Sequence, residues 1–133
     1  MQYSNTPTIR KPGKVEAIAI MTLVNGILNI LCALGGTAAV VLGTIGIGIL
    51  CAPVTLAPAV LGVFEIIYAT KLMSSNPQPP LKPNMPVAIL EICCIVVGLV
   101  ISMVVGILAL VFYNDPEVKD YFAQLNAGVP PAA

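Results

Sequence analysis

The chain has 133 residues, 58% of them hydrophobic and only 9% charged, with six basic and six acidic side chains that cancel. Soluble domains carry about a quarter charged residues, so this chain lacks the polar groups to cover a water-facing surface, and its short basic runs argue against nucleic acid as a partner. Histidine is absent, which removes both the commonest metal ligand and the commonest general base.

Residues 1–14 are polar, with Pro7, Pro12, Gly13 and the cations Arg10, Lys11 and Lys14. They predict a flexible, basic, water-facing tail. A cleaved signal peptide does not fit, because the following apolar run is too long. A lipoprotein signal does not fit either, because Leu31 rather than a small residue precedes Cys32.

The first predicted hydrophobic helix covers 15–36. It opens with Glu16 and ends at Gly35-Gly36, read as a turn. Its small and polar stripe is Thr22, Asn25 or Gly26, Asn29, Ala33 and Gly36. Asn25 and Asn29 are four residues apart and so share a helix face. A lone amide is costly in lipid, so both should hydrogen-bond to another helix, for about 0.6–2 kcal/mol each. The alternative is that they line a conduction or substrate path.

Residues 37–52 are apolar and glycine-rich. As a helix they would reach ~24 Å, short of the ~30 Å hydrocarbon core of a bilayer, so their full crossing is left open. Pro53 and Pro58 bend or break the chain. The next helix is 54–73, with Pro58, Gly62, Glu65 and Ala69 on one face. Residues 74–86 contain five prolines, which predicts an extended, water-facing linker.

The stretch 87–113 has a single charge, Glu91, and no proline. As one helix it would span ~40 Å. Glu91, Cys94, Gly98, Ser102, Gly106, Ala109 and Tyr113 recur at steps of three or four, so they form one small, polar stripe. Within it, Gly98, Ser102 and Gly106 place small residues four apart, which lets two helix backbones approach closely. Gly62 marks the same kind of face one helix earlier. The chain then passes Asn114-Asp115-Pro116-Glu117, where either Asp115 caps a helix with Pro116 in its first turn or Asn114 caps it with Glu117 reaching back, into a short amphipathic helix at 116–126. Its apolar positions are Val118, Tyr121, Phe122 and Leu125, and it is expected to lie on the membrane surface. The residues after it are expected to be disordered.

The expected fold class is therefore an all-α integral membrane protein. It has four hydrophobic helices (15–36, 37–52, 54–73 and 87–113) and a short amphipathic C-terminal helix. Residues 15–113 form one membrane-embedded domain, interrupted by the linker at 74–86, with a tail at 1–14 and a terminal unit at 114–133. The basic tail puts the N-terminus in the cytoplasm. The side of the C-terminus depends on whether 37–52 crosses.

Four cysteines (Cys32, Cys51, Cys93, Cys94) all sit in apolar runs with no Cys-x-x-Cys, so they read as small packing residues. Glu65 and Glu91 flank the linker at similar distances, which places them in one leaflet on small-residue faces. Ionisable groups inside a span point to function, and a proton-binding or cation-binding pair is one expectation. The others are pairing with Lys71, Lys82 or water near the interface, and contact with a partner subunit. No catalytic constellation or zinc spacing occurs, so no enzymatic activity, cofactor or metal is expected.

The segment Gly106-Ile-Leu-Ala-Leu-Val-Phe-Tyr-Asn-Asp-Pro-Glu-Val-Lys-Asp-Tyr-Phe122 resembles the end of small multi-pass bacterial membrane proteins of uncharacterised function, in which a final span runs into Asn-Asp-Pro-x-Val-Lys-x-Tyr-Phe. Leu61-Gly-Val-Phe-Glu-Ile-Ile-Tyr-Ala-Thr-Lys-Leu72 and Ala88-Ile-Leu-Glu-Ile92 are similar to earlier segments of that type. The resemblance implies a bacterial cytoplasmic-membrane setting and no activity. The expected role is a structural or interaction subunit, whose partners are the lipid bilayer and either a second copy or a larger membrane complex. The alternative is a small transporter or channel using Asn25, Asn29, Glu65 and Glu91.

Overall fold

Two long helices dominate the computed structural model, which describes residues 8–97, 99–130 and 132. The first, α1 (Gly13–Gly43), has Glu16 in its first turn, where a carboxylate suits the positive end of the helix dipole. It does not stop at Gly35-Gly36. Neither glycine has anything within 4 Å of where a Cβ would stand, and a helix facing hydrocarbon tolerates glycine because it has no other way to satisfy its backbone. The predicted helix at 37–52 is thus not a separate element. Thr37 to Gly43 complete α1, Thr44 to Gly46 make the turn, and a 3-10 segment, Ile47–Cys51, leads into α2 (Ala52–Met73). Gly46 adopts φ 88°, a left-handed conformation that glycine enters freely.

α1 and α2 run antiparallel. The contacts of Thr37 with Thr55 and of Lys11 with Leu72 mark the two ends of the pairing. Gly26 and Gly62 make the closest approach midway, where the backbone carbonyl of each occupies the place of the other's missing Cβ. Pro58 sits inside α2, where its nitrogen makes no backbone bond and its ring crowds the preceding turn.

The stretch 87–113 is not one helix. It begins two residues earlier as α3 (Met85–Cys93), tightens into a 3-10 segment (Cys94–Val97), and resumes as α4 (Val100–Tyr113). α4 folds back along α3. Gly106 lies against Ala88, Glu91 and Ile92, while Tyr113, seven residues on, reaches back to Asn84. The break falls where β-branched Ile95, Val96 and Val97 run into a glycine, a sequence with poor helix propensity. Gly98 itself lies outside the described residues.

The C-terminal helix, α5 (Pro116–Asn126), is capped by Asp115, whose carboxylate accepts from the Glu117 backbone N–H at 3.0 Å. Its axis turns 71° from α4. Its apolar face is not free to meet a membrane surface. Val118, Tyr121, Phe122 and Leu125 are buried in a cluster with Ile9, Val15, Ile18 and Leu81. The same end of the molecule gathers the termini and the linker. The Ile9 N–H donates to the Pro130 carbonyl, and the Ala132 N–H to that of Ile9. The Asn126 amide exchanges two hydrogen bonds of 2.9 Å with the Leu81 backbone. Lys11 donates to the carbonyls of Leu72 and Ser74, closing the C-terminus of α2. Residues 8–14 and 74–84 are therefore pinned rather than loose.

Two segments, Gly13–Gly43 and Ile47–Met73, are long and apolar enough to cross a membrane. α4 reaches that length only together with α5 across their bend. The far half of the α1–α2 hairpin is bare and apolar, with Leu42, Ile45 and Leu50 about four-fifths or more exposed. That surface suits hydrocarbon.

At the polar end, Lys14 pairs with Asp115 at 2.6 Å and with Glu117 at 3.5 Å. The Lys14 contact and the Glu117 N–H hold the Asp115 carboxyl below the usual carboxylate range. A carboxyl depressed by folding stabilises the fold above its unfolded pKa and loses that contribution as pH falls through the folded one. Thermal unfolding of Asp115→Asn should therefore be lower than wild type at neutral pH and converge with it in acid. A difference that persists unchanged at low pH would rule this out.

Candidate functional site

The hairpin α3–α4 packs onto the near half of α1–α2, and the faces that meet are the polar stripes. Asn25 lies twelve residues into α1, ~18 Å along its axis. There it meets Asn29, one turn on, and Glu65 from α2. Asn29 Nδ2 donates to both Glu65 oxygens, at 3.0 and 3.2 Å, and Asn25 Nδ2 donates to Oε2 at 3.2 Å. The amide oxygens turn the other way. Ser102 Oγ, from α4, donates to Asn29 Oδ1 at 2.6 Å and lies 3.1 Å from Asn25 Oδ1. Glu91, from α3, completes the group beside Glu65. One side chain or pair from each of four helices thus converges on one point, and none of the five residues is more than 2% exposed.

The fold-back of 87–113 makes this convergence possible. On a straight helix Glu91 and Ser102 would be ~16 Å apart. The hairpin brings both to the same level, with Gly106 giving α4 the room to lie against the Ala88 carbonyl and the Glu91 side chain.

All four residues expected to form an intramembrane polar site, Asn25, Asn29, Glu65 and Glu91, meet here. Ser102, Gly106 and Gly62 occupy the contacts around them. Ser102, expected only as a small packing residue, also supplies the hydroxyl that fixes both amides, a role its place on the Glu91 stripe allowed. Tyr68 and Tyr113 close the cluster toward the polar end, where they meet each other near Asn84, and Tyr68 donates to the Lys82 carbonyl at 3.0 Å. Both glutamates are buried, and among the described residues neither pairs with a lysine. Among the described residues the ion pairs of Lys14 are the salt bridges formed, and Lys71 and Lys82 stay at the surface.

Two buried side-chain polar atoms among the described residues have no hydrogen-bond partner, Tyr121 Oη and Glu91 Oε2. The second is the one in the cluster. No group of three or more cysteines or carboxylates among the described residues could hold a metal ion. A cleft of about 570 Å³ between α2 and the tip of the short hairpin is lined by Pro53, Val54, Leu61, Phe64, Leu90 and Cys93. It offers a ligand almost nothing but apolar surface. Comparisons with protein-family models, with curated proteins and with solved structures find no match to this chain.

Proposed function

We propose that the chain is a multi-pass α-helical protein of the bacterial cytoplasmic membrane. It works without chemical turnover, as a small structural or interaction subunit of a membrane assembly. The observation that carries this reading is where the polar groups go. The amides, the hydroxyl and the Glu65 carboxyl of the bundle interior bond to one another, and the bundle presents apolar faces outward. In lipid such faces recognise other helices by close packing. The six basic residues all lie toward the polar end, which the positive-inside rule assigns to the cytoplasm together with the N-terminus. The bacterial setting is an expectation that rests on the resemblance read in residues 106–122 alone.

Cross-linking and native mass measurement in mild detergent test the reading. A second copy or a defined partner is expected to stay attached. A single stable monomer that co-purifies with nothing would overturn it. The unpartnered Glu91 Oε2 favours a second reading, a small transporter or channel built on the same cluster. Proteoliposome flux that is unchanged in Glu65→Gln and Glu91→Gln proteins would rule that reading out.

A further inference from the structure

We propose that Glu65 and Glu91 together form a binding site for one proton, held between their carboxyl groups inside the bundle. The inference stands whether or not the protein belongs to an assembly.

Three observations lead to it. First, the two side chains are neighbours in the bundle interior, Glu65 at 0% and Glu91 at 1% exposure, and among the described residues neither forms a salt bridge. Two ionised carboxyls there would face each other uncompensated, and one proton removes the second charge. Second, the surroundings decide which ligand fits. The Glu65 oxygens face N–H groups of Asn25 and Asn29, and the amide oxygens are taken up by Ser102. A metal cation needs several free oxygens around it. This arrangement turns hydrogens toward the carboxylate instead, and a proton is the cation that fits between the acids. Third, Glu91 is 1% exposed and its Oε2 has no partner, so the acid that Asn25 and Asn29 leave unserved is the one whose charge nothing offsets and that gains most from a proton.

Among the described residues no lysine or arginine faces the pair from any of the packed elements. α1 presents the Asn25 and Asn29 amides, α2 adds Tyr68 beyond Glu65, α3 leads into Cys94, and α4 presents Ser102 and Tyr113. A second negative charge would therefore be uncompensated in a medium that penalises even one. The occupied site neutralises one of the two charges, and the amides hydrogen-bond the other.

The test uses the full chain in mild detergent and dicyclohexylcarbodiimide, an apolar reagent that attacks protonated carboxyls. The acid's proton passes to a reagent nitrogen and the carboxyl oxygen adds to the central carbon. The resulting O-acylisourea rearranges to a stable N-acylurea with no group lost. One adduct per chain is expected, on Glu65 or Glu91, falling about tenfold per pH unit once the site empties. Sodium or potassium should leave it unchanged. Glu65→Gln and Glu91→Gln should each reduce labelling by roughly tenfold or more, because the glutamine amide supplies the hydrogen that the proton supplied. The infrared carbonyl band of a buried protonated carboxyl, read on the wild-type protein, decides the matter if a variant does not fold. No adduct and no such band would overturn the proposal. So would protection by sodium or potassium at fixed pH, which would mean a metal-cation site. Undiminished labelling in either glutamine variant would overturn it too, because the acid would then hold its proton alone.

Discussion

A Gly62→Val protein is expected to lose its α1–α2 hairpin. A Cβ at position 62 would overlap the Gly26 carbonyl oxygen and would stand 3.0 Å from Ile30 Cγ1 and 3.3 Å from Asn29 Cβ. The carbonyl belongs to a helix backbone and cannot rotate away, so the helices must separate. That separation is not local. Asn29 is one of the residues displaced, and moving it takes the amide off Glu65. Overpacking a tight contact costs about 1–3 kcal/mol and sometimes more. Valine at this position should reach or exceed the top of that range, with alanine below it. Unfolding in mixed micelles, titrated with denaturing detergent, measures the loss. A valine variant with the wild-type midpoint would show that the close approach at Gly26 and Gly62 does not hold the bundle together.

The second large effect is expected from Glu65→Ala. The truncation removes the acceptor for three N–H contacts from Asn25 and Asn29 and opens a void at the meeting point of four helices. Hydrogen bonds between helices in membranes average about 0.6 and reach about 1.7 kcal/mol, and the void adds a packing loss, so a total of about 2–4 kcal/mol is expected. Glu65→Gln keeps the shape and one acceptor oxygen, and should cost less than half as much. The pair Glu65→Ala and Asn29→Ala should be markedly non-additive, because each single change already breaks the same bonds. Additive losses in a double-mutant cycle would mean that the two residues stabilise the fold separately.

The faces of the helices were legible in the sequence, but their partners were not. Asn25 and Asn29, Gly62 and Glu65, and Glu91 with Ser102 and Gly106 each announce a stripe through steps of three and four, and the structure turns all of these stripes inward. What periodicity cannot report is direction. A stretch of 27 apolar residues reads the same whether it runs straight through or doubles back, and no proline or polar residue marks the fold at 94–99. The local signal was Ile95-Val96-Val97 before Gly98, a weak one among residues that also suit a lipid-facing helix. Gly35-Gly36 misled in the opposite sense, reading as a turn where α1 continues. The amphipathic pattern of α5 gave its apolar face correctly. That this face covers Ile9, Val15 and Ile18 rather than lipid is a contact across a hundred residues, which no local pattern carries.

The distribution of charge has a consequence for how such a chain enters a bilayer. No residue from 17 to 64 is charged, so carrying the bend between α1 and α2 through hydrocarbon moves no ion, where each Lys, Arg or Asp at mid-depth would add about 2.5–3.5 kcal/mol. Glu65 is the first acid that has to go in. Chains are made from the N-terminus, so α1 precedes it. The two amides that receive Glu65 are therefore made before it, and Ser102, which bonds to their oxygens, follows last.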